Sequence, residues 1–319
     1  MVYDRYGSPD VLELREVEKP EVTDDGVLVR VQAASVNPLD WHMLTGVPYL
    51  VRPQAGLRKP KHGVLGVDFA GTVESVGRSV TELQPGDEVF GTGSGSLAEY
   101  VCARRAVAPK PANVTFEQAA AVPVAAITAL QGLRDKGRMQ PGQNVLINGA
   151  SGGVGTFAVQ IAKSLGAEVT GVCSTRNVEM VRSIGADHVI DYTREDFTRN
   201  GRRYDVMLDI AGNRPWADCK RVLGDRGTLV IVGGPKGNRW IGPMGHVVKV
   251  RVASLAGSRK VAAPFLARPN KEDMVVLQNL LADGKVTPVI EKRYALSDGA
   301  EALSYLGKGH ARGKIVIDV

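Results

Sequence analysis

Residues 147–155 read Ile-Asn-Gly-Ala-Ser-Gly-Gly-Val-Gly, "INGASGGVG", and the fold turns on them. They close an apolar run, "NVLINGA", and open a helix-like one, "VGTFAVQIAKSLG", so the glycines stand where a strand hands over to a helix. Gly149, Gly152 and Gly155 fall at i, i+3 and i+6, with Gly153 and Val154 between them. Backbone without side chains comes close to a pyrophosphate, whose charge then meets the free N–H groups and positive dipole end of the following helix. The spacing departs from Gly-x-Gly-x-x-Gly, and the strand-turn-helix context supplies the specificity that the spacing lacks.

On both sides of this turn helices and strands alternate, from about Thr115 to Ala256. The strands "NVLINGA", "EVTGVCS", "YDVMLDIAG" and "TLVIVGG" are almost wholly apolar, which predicts a parallel sheet covered by helices on both faces. Before it, short β-branched runs punctuated by Gly, Pro and Asp ("VLELREV", "GVLVRVQAASV", "DFAGTVESVG", "PGDEVFGTG", "AEYVCA") predict a barrel-like β unit. After it, two helices and a last strand, "GKIVIDV", complete that first unit. The predicted class is α/β: a doubly wound Rossmann sheet over residues 118–256, inserted between residues 1–117 and 257–319 of a β-barrel domain.

The 319 residues carry 40 Lys plus Arg against 34 Asp plus Glu, a net charge of +6 with no basic tract, so no nucleic-acid partner is expected. Cys102, Cys173 and Cys219 are odd in number and far apart, which predicts free thiols in a reducing, cytoplasmic compartment. The longest apolar run, Ala119 to Leu130, is short and contains Pro123, so no membrane span is expected.

One helix beyond the glycine turn comes "VTGVCSTR", residues 169–176. A carboxylate at such a strand end bonds a ribose 2′-hydroxyl and repels a 2′-phosphate, and Cys173 occupies the place. Ser174 and Thr175 add hydroxyl donors, and Arg176 adds a guanidinium suited to phosphate. NADPH is therefore the expected coenzyme.

The segments "AASVNPLDW", "GVDFAGTVESVG", "LQPGDEVFG", "LAEYV", "AAAVPVAAITAL", "LINGASGGVGTFAVQIAKSLGA", "IGADHVIDY" and "GKIVIDV" resemble, in order and spacing, the zinc-free quinone oxidoreductase branch of the medium-chain dehydrogenase/reductase superfamily over essentially the full length. The resemblance implies a GroES-like domain built from both chain ends, a Rossmann domain between them, an active site in the cleft, and a homodimer. It also implies that Asn37 and Thr128 contact the nicotinamide half, that Tyr192 lies by the adenosine phosphate, that Gly233 and Gly234 pass near the nicotinamide, and that Lys314 lies at the cofactor rim.

Zinc-dependent members of that superfamily carry a Cys at or beside Asn37 and Gly-His-Glu where this chain has Gly66-Val67-Asp68. A catalytic zinc needs three protein ligands, and Val67 supplies none; His62 and Asp68 alone do not make a site. Without a Lewis acid an isolated ketone loses its alkoxide stabiliser, whereas a quinone or α,β-unsaturated carbonyl delocalises the charge onto an oxygen that hydrogen-bond donors can hold. Donors are expected in the loop "NPLDWHMLTGVPYLVRP": Tyr49, Trp41 and His42, with Asp40 orienting the loop and His246 a second proton source. The reading is a metal-independent NADPH reductase of quinones or enones. The alternatives are an NADPH-binding protein with a regulatory or structural role and little turnover, or a reductase of isolated carbonyls.

Overall fold

The computed structural model describes residues 1–61, 63–212, 214–234, 239–240, 242, 244–254, 259–262 and 265–319; His62 lies outside them. In chain order the strands are β1 (Val27–Val36), β2 (Asp68–Val76), β3 (Glu88–Thr92), β4 (Tyr100–Ala103), β5 (Val107–Pro109), β6 (Asn144–Asn148), β7 (Glu168–Cys173), β8 (His188–Asp191), β9 (Tyr204–Asp209), β10 (Leu223–Ile231), β11 (Lys260–Val261), β12 (Ile290–Ala295) and β13 (Lys314–Asp318). The chain divides into two compact units, one of Met1–Ile127, Arg268–Gly284 and Pro288–Val319, the other of Thr128–Ala267 with Lys285–Thr287.

The second unit holds a sheet in the order β11-β10-β9-β6-β7-β8, every neighbouring pair parallel. Counted within the unit this is the doubly wound 3-2-1-4-5-6 order, in which successive strands are added outward in one direction from β6 and then in the other from β9, which opens a crevice at the carboxyl ends of these two strands. β6, β7 and β9 are buried on both faces, which is why they read as continuous apolar runs. The Gly153–Ser164 helix covers the sheet with fully buried Phe157, Val159 and Ile161, each contributing roughly 1.5–3 kcal/mol of burial. Its Gln160 side chain both donates to the carbonyl of Thr287 at 3.0 Å and accepts from the Thr287 N–H at 2.8 Å, and so ties the short Lys285–Thr287 segment to this unit.

The first unit is built on a seven-stranded sheet in the order β12-β13-β1-β2-β3-β5, with β4 also on β1. Its inner face packs Val29, Val31, Phe69, Val101, Ile315 and Ile317 into one core, so strands from both chain ends share a single apolar interior. The strand expected over Val11–Val17 does not form. Residues 9–11 make a 3-10 turn, Val2 bridges Glu13, and Leu14 and Val17 are more than half exposed. An apolar alternation becomes a strand only where a neighbour pairs along it and a layer covers one face, and here the pairing stops at the single Glu13 bridge while only Leu12 is buried. No helix among the described residues is long and apolar enough to cross a membrane.

Candidate functional site

In the second unit the turn after β6 is shaped for a ligand. Gly149 has φ of +92°, which a side chain resists, and a Cβ on Gly155 would stand 2.1 Å from the Gly149 carbonyl oxygen, so both glycines serve the turn itself. Gly152 differs: a Cβ there would meet only that oxygen, at 3.7 Å. Packing does not require a glycine at 152, and the space over it is open to an incoming group. As the N-cap it lacks a capping side chain, so the first-turn N–H groups of Gly153, Val154 and Gly155 face that opening without a side-chain acceptor. The cradle fits a pyrophosphate.

At the neighbouring strand end Asn177, buried, donates to Ser151 Oγ at 3.0 Å and to Ser174 Oγ at 3.3 Å, joining the glycine turn to the end of β7. A hydroxyl that accepts from Asn177 keeps its own proton for another partner. Arg176 is exposed, as is Tyr192, whose N–H donates to the Cys173 carbonyl at 3.1 Å. Thr175 donates its hydroxyl to Asp191 Oδ2 at 2.5 Å. Asp191 ends β8 directly opposite Cys173, so a carboxylate does stand at this edge, contributed by the strand next to the one that Cys173 ends. Hydrogen bonds, led by Thr175, hold it below the usual carboxylate range.

At the sheet's switch point Asn148, the last residue of β6, donates to Asp209 Oδ1 at 2.7 Å, and the Gly212 N–H donates to the same oxygen at 2.9 Å. Burial raises the Asp209 carboxyl above its ordinary value. Gly212 lies hard against the Gly233 carbonyl and Gly234 Cα, and a Cβ on Gly233 would stand 2.0 Å from the Ile210 carbonyl oxygen. Three strand ends thus form a floor of bare backbone. His246, on the Met244–Ser254 helix, has a buried Nε2 without a partner among the described residues. Thr128 is half-buried on the Pro123–Gln131 helix.

The first unit buries a charged network. Lys314 Nζ donates to Asn37 Oδ1 at 2.6 Å and lies 3.4 Å from Asp68 Oδ2; Asn37 Nδ2 and Ser35 Oγ donate to that same oxygen at 2.9 and 3.0 Å. Asp68 Oδ1 accepts from the Val124 N–H at 3.0 Å. Lys314 is 3% exposed, so its ammonium is spent inside this unit. Asp40 accepts from the Asn37 N–H at 2.7 Å through Oδ2 while its Oδ1 has no partner among the described residues, and burial pushes its carboxyl up to about 7. These residues do not fit a zinc ion: a carboxamide and an apolar Val67 replace two ligands, and an ammonium already sits against the one carboxylate.

The helix that follows, Pro38–Thr45, carries the remaining expected residues. Trp41 lays its six-membered ring against Gly307, where a Cβ would approach Cζ3 to 2.4 Å, so its body is a packing element. His42 donates from Nδ1 to the Val47 carbonyl at 2.6 Å, which leaves Nε2 as its second functional atom. Tyr49 stacks under the Arg52 guanidinium at 4.5 Å. The structure therefore gathers Asn37, Asp40 and Lys314 into one network and leaves Trp41, His42 and Tyr49 outside it. Asp191, Asn177 and Asp209 had no signal in the sequence, and Asp68 was read only against a metal site, because each acts through a partner that the fold alone brings near.

A model of the alcohol dehydrogenase GroES-like domain matches residues 23–112, and one of the zinc-binding dehydrogenase matches residues 184–317. The chain is 33% identical over 327 residues to the quinone-oxidoreductase homolog, chloroplastic, of Spinacia oleracea, covering 98% of this chain and 95% of that one. It is 34% identical over 335 residues to the NADPH-dependent alkenal/one oxidoreductase, chloroplastic, of Arabidopsis thaliana, covering 99% and 78%. It superimposes on the Escherichia coli quinone oxidoreductase complexed with NADPH with a TM-score of 0.82 at 25% identity, covering 100% and 99%.

Proposed function

We propose, from the premise that this chain belongs to the quinone oxidoreductase branch of the medium-chain dehydrogenase/reductase superfamily, that it is an NADPH-dependent reductase of quinones or α,β-unsaturated carbonyls that works without a metal ion. The observation that carries the reading is the Lys314 ammonium sealed between Asn37 and Asp68. It fills with a fixed positive charge the donor set that a Lewis acid would need, and so favours acceptors whose charge is delocalised.

A nicotinamide dinucleotide, when bound, supplies the hydride. The chain supplies the rest. First-turn N–H groups of Gly153, Val154 and Gly155 would hold its phosphates, Ser174 and Arg176 would take the adenosine end beside Tyr192, and the bare Gly233-Gly234 backbone would leave room for the nicotinamide half. The Lys314, Asp68 and Asn37 bonds fix the start of the helix bearing Trp41 and His42. His42 Nε2 and the Tyr49 hydroxyl are the proposed partners of the substrate oxygen, His42 being able to deliver a proton near neutral pH. Asn37 and Thr128 stand in this reading as residues that order the nicotinamide side, and Lys314, expected at the cofactor rim but buried, acts by holding Asn37. Three free cysteines support a reducing compartment such as the cytoplasm, and a homodimer is the proposed assembly.

Purified protein dialysed against a chelator should oxidise NADPH, followed by nicotinamide absorbance, with a quinone and with an enone, and far more slowly with a saturated ketone. Loss of activity on chelation restored by stoichiometric zinc would overturn the metal-free mechanism. No oxidation with any acceptor in a broad panel, despite NADPH binding, would favour a regulatory protein.

A further inference from the structure

We propose that Asp191 is a specificity-determining residue, placed on the strand adjacent to the coenzyme-selecting turn, that holds down the chain's preference for the 2′-phosphorylated coenzyme. This rests on the reading that Ser174–Arg176 takes the adenosine end of a dinucleotide.

Asp191 is the β8 partner of Cys173, the last residue of β7, so its backbone is a ladder neighbour of the turn that carries Ser174, Thr175 and Arg176. Its carboxylate is claimed on both oxygens. Oδ2 accepts from Thr175 Oγ1 at 2.5 Å, and Oδ1 accepts from the Thr193 N–H at 3.0 Å and Thr193 Oγ1 at 2.7 Å. Two consequences follow. The Thr175 hydroxyl, which would otherwise be a donor for a phosphate, is committed to the carboxylate, and the two threonine oxygens lie 2.9 Å apart in the same knot. Further, one full negative charge stays beside the turn that carries Arg176, because the bonded threonines are neutral. Arg194 pairs with it at 3.5 Å through a side chain that is 76% exposed, where solvent weakens the pairing.

A 2′-phosphate brings close to two negative charges to this edge, whereas a 2′-hydroxyl brings none. Repulsion from Asp191 therefore acts on one coenzyme only, and at separations of one or two residues in partly screened surroundings it is worth about a three- to tenfold change in affinity. Oδ1 already accepts twice, and Oδ2 accepts from Thr175 with Arg194 beside it, so a ribose 2′-hydroxyl meets a crowded carboxylate and the unphosphorylated coenzyme gains little from it. Asp191 and Arg176 thus act in opposition on the same group, and the chain accepts both coenzymes more evenly than the arginine alone would allow.

Asp191→Asn removes the charge at nearly the same shape: its one amide oxygen can keep the Thr193 bonds, and its NH2 group then donates to the Thr175 oxygen. Dissociation constants for NADPH and NADH are measured by fluorescence titration of the full chain at low and at high salt, for the wild type, Asp191→Asn and Arg176→Gln. Expected are NADPH binding about three- to tenfold tighter in Asp191→Asn, NADH unchanged, and a gain that shrinks as salt rises. An equal weakening of both coenzymes would make Asp191 a brace for the turn and overturn the proposal, as would an unchanged NADPH constant or a selective loss of NADH. Arg176→Gln tests the parent reading separately: if NADPH binds equally well without the guanidinium, the turn is not the phosphate site, whatever Asp191 does.

Discussion

Replacing Gly152 by alanine separates what the glycine turn does for the fold from what it does for a ligand. At that position φ is −83° and ψ is 176°, ordinary for alanine, and the new methyl would touch only the Gly149 oxygen, at 3.7 Å. The cost to the fold is the weaker N-cap, about 0.5–1 kcal/mol, or about 1–4 °C in melting midpoint for a unit of this size. The same methyl would stand in the opening where the phosphate has to come. NADPH affinity should fall at least about tenfold, which is roughly 1.4 kcal/mol. Gly155→Ala, three residues on, should do the reverse. Its methyl would press on the Gly149 carbonyl oxygen at 2.1 Å and on Ala150 backbone atoms at 2.8 Å, none of which belongs to a flexible side chain. The turn would have to spread, at about 1–3 kcal/mol or more, with a matching drop in melting midpoint. Thermal melts and fluorescence titration with NADPH on both variants decide the matter. A Gly152→Ala protein that titrates like the wild type would refute the assignment of this opening to a phosphate.

Lys314→Met should destabilise the chain by about 3–5 kcal/mol in denaturant titration, since it strands the buried Asp68 carboxylate, and Asp68→Asn in the same chain should recover much of that; a single variant within 1 kcal/mol of wild type would refute the pairing. Asp40 has a folded-state value near 7 against an unfolded one near 3.8, so the folded chain holds its proton more tightly and loses stability as pH rises between them. Asp40→Asn should therefore gain on the wild type from pH 5 to pH 8 in unfolding experiments, and parallel stability curves would count against a buried acid there. Asn177→Ala frees Ser151 and Ser174 together and should weaken NADPH about three- to tenfold; an unchanged constant removes Asn177 from the site.

The cradle was legible because its signals are local: glycines at fixed offsets, an apolar strand before them and an apolar helical stripe after. The same holds for β1, β2 and β13, whose β-branched runs match their burial. What escaped was every relation set by register or by long loops. Asp191 reads as an ordinary strand-end acid until β8 is placed against β7, and Lys314, expected at the cofactor rim, shows its buried partners only when β13 is laid beside β1. Trp41 offers an indole donor to a reader of the sequence, but Gly307 claims its ring. The opposite error occurred at Val11–Val17, where a pattern with the right residues finds no sheet to join.

The salt bridge between Asp68 and Lys314 spans 246 residues, with the whole parallel sheet encoded between its two ends. A nascent chain on the ribosome carries Asp68 early and lacks its counter-ion, and lacks the β13 flank of β1, until the last strand has been made. The inserted unit has all six of its strands by Val261 and can close while its host waits. Synthesis and completion therefore run in opposite orders, and a chain cut before Lys314 should leave a folded inner body tethered to an open sheet with a buried-type carboxylate and no cation to meet it.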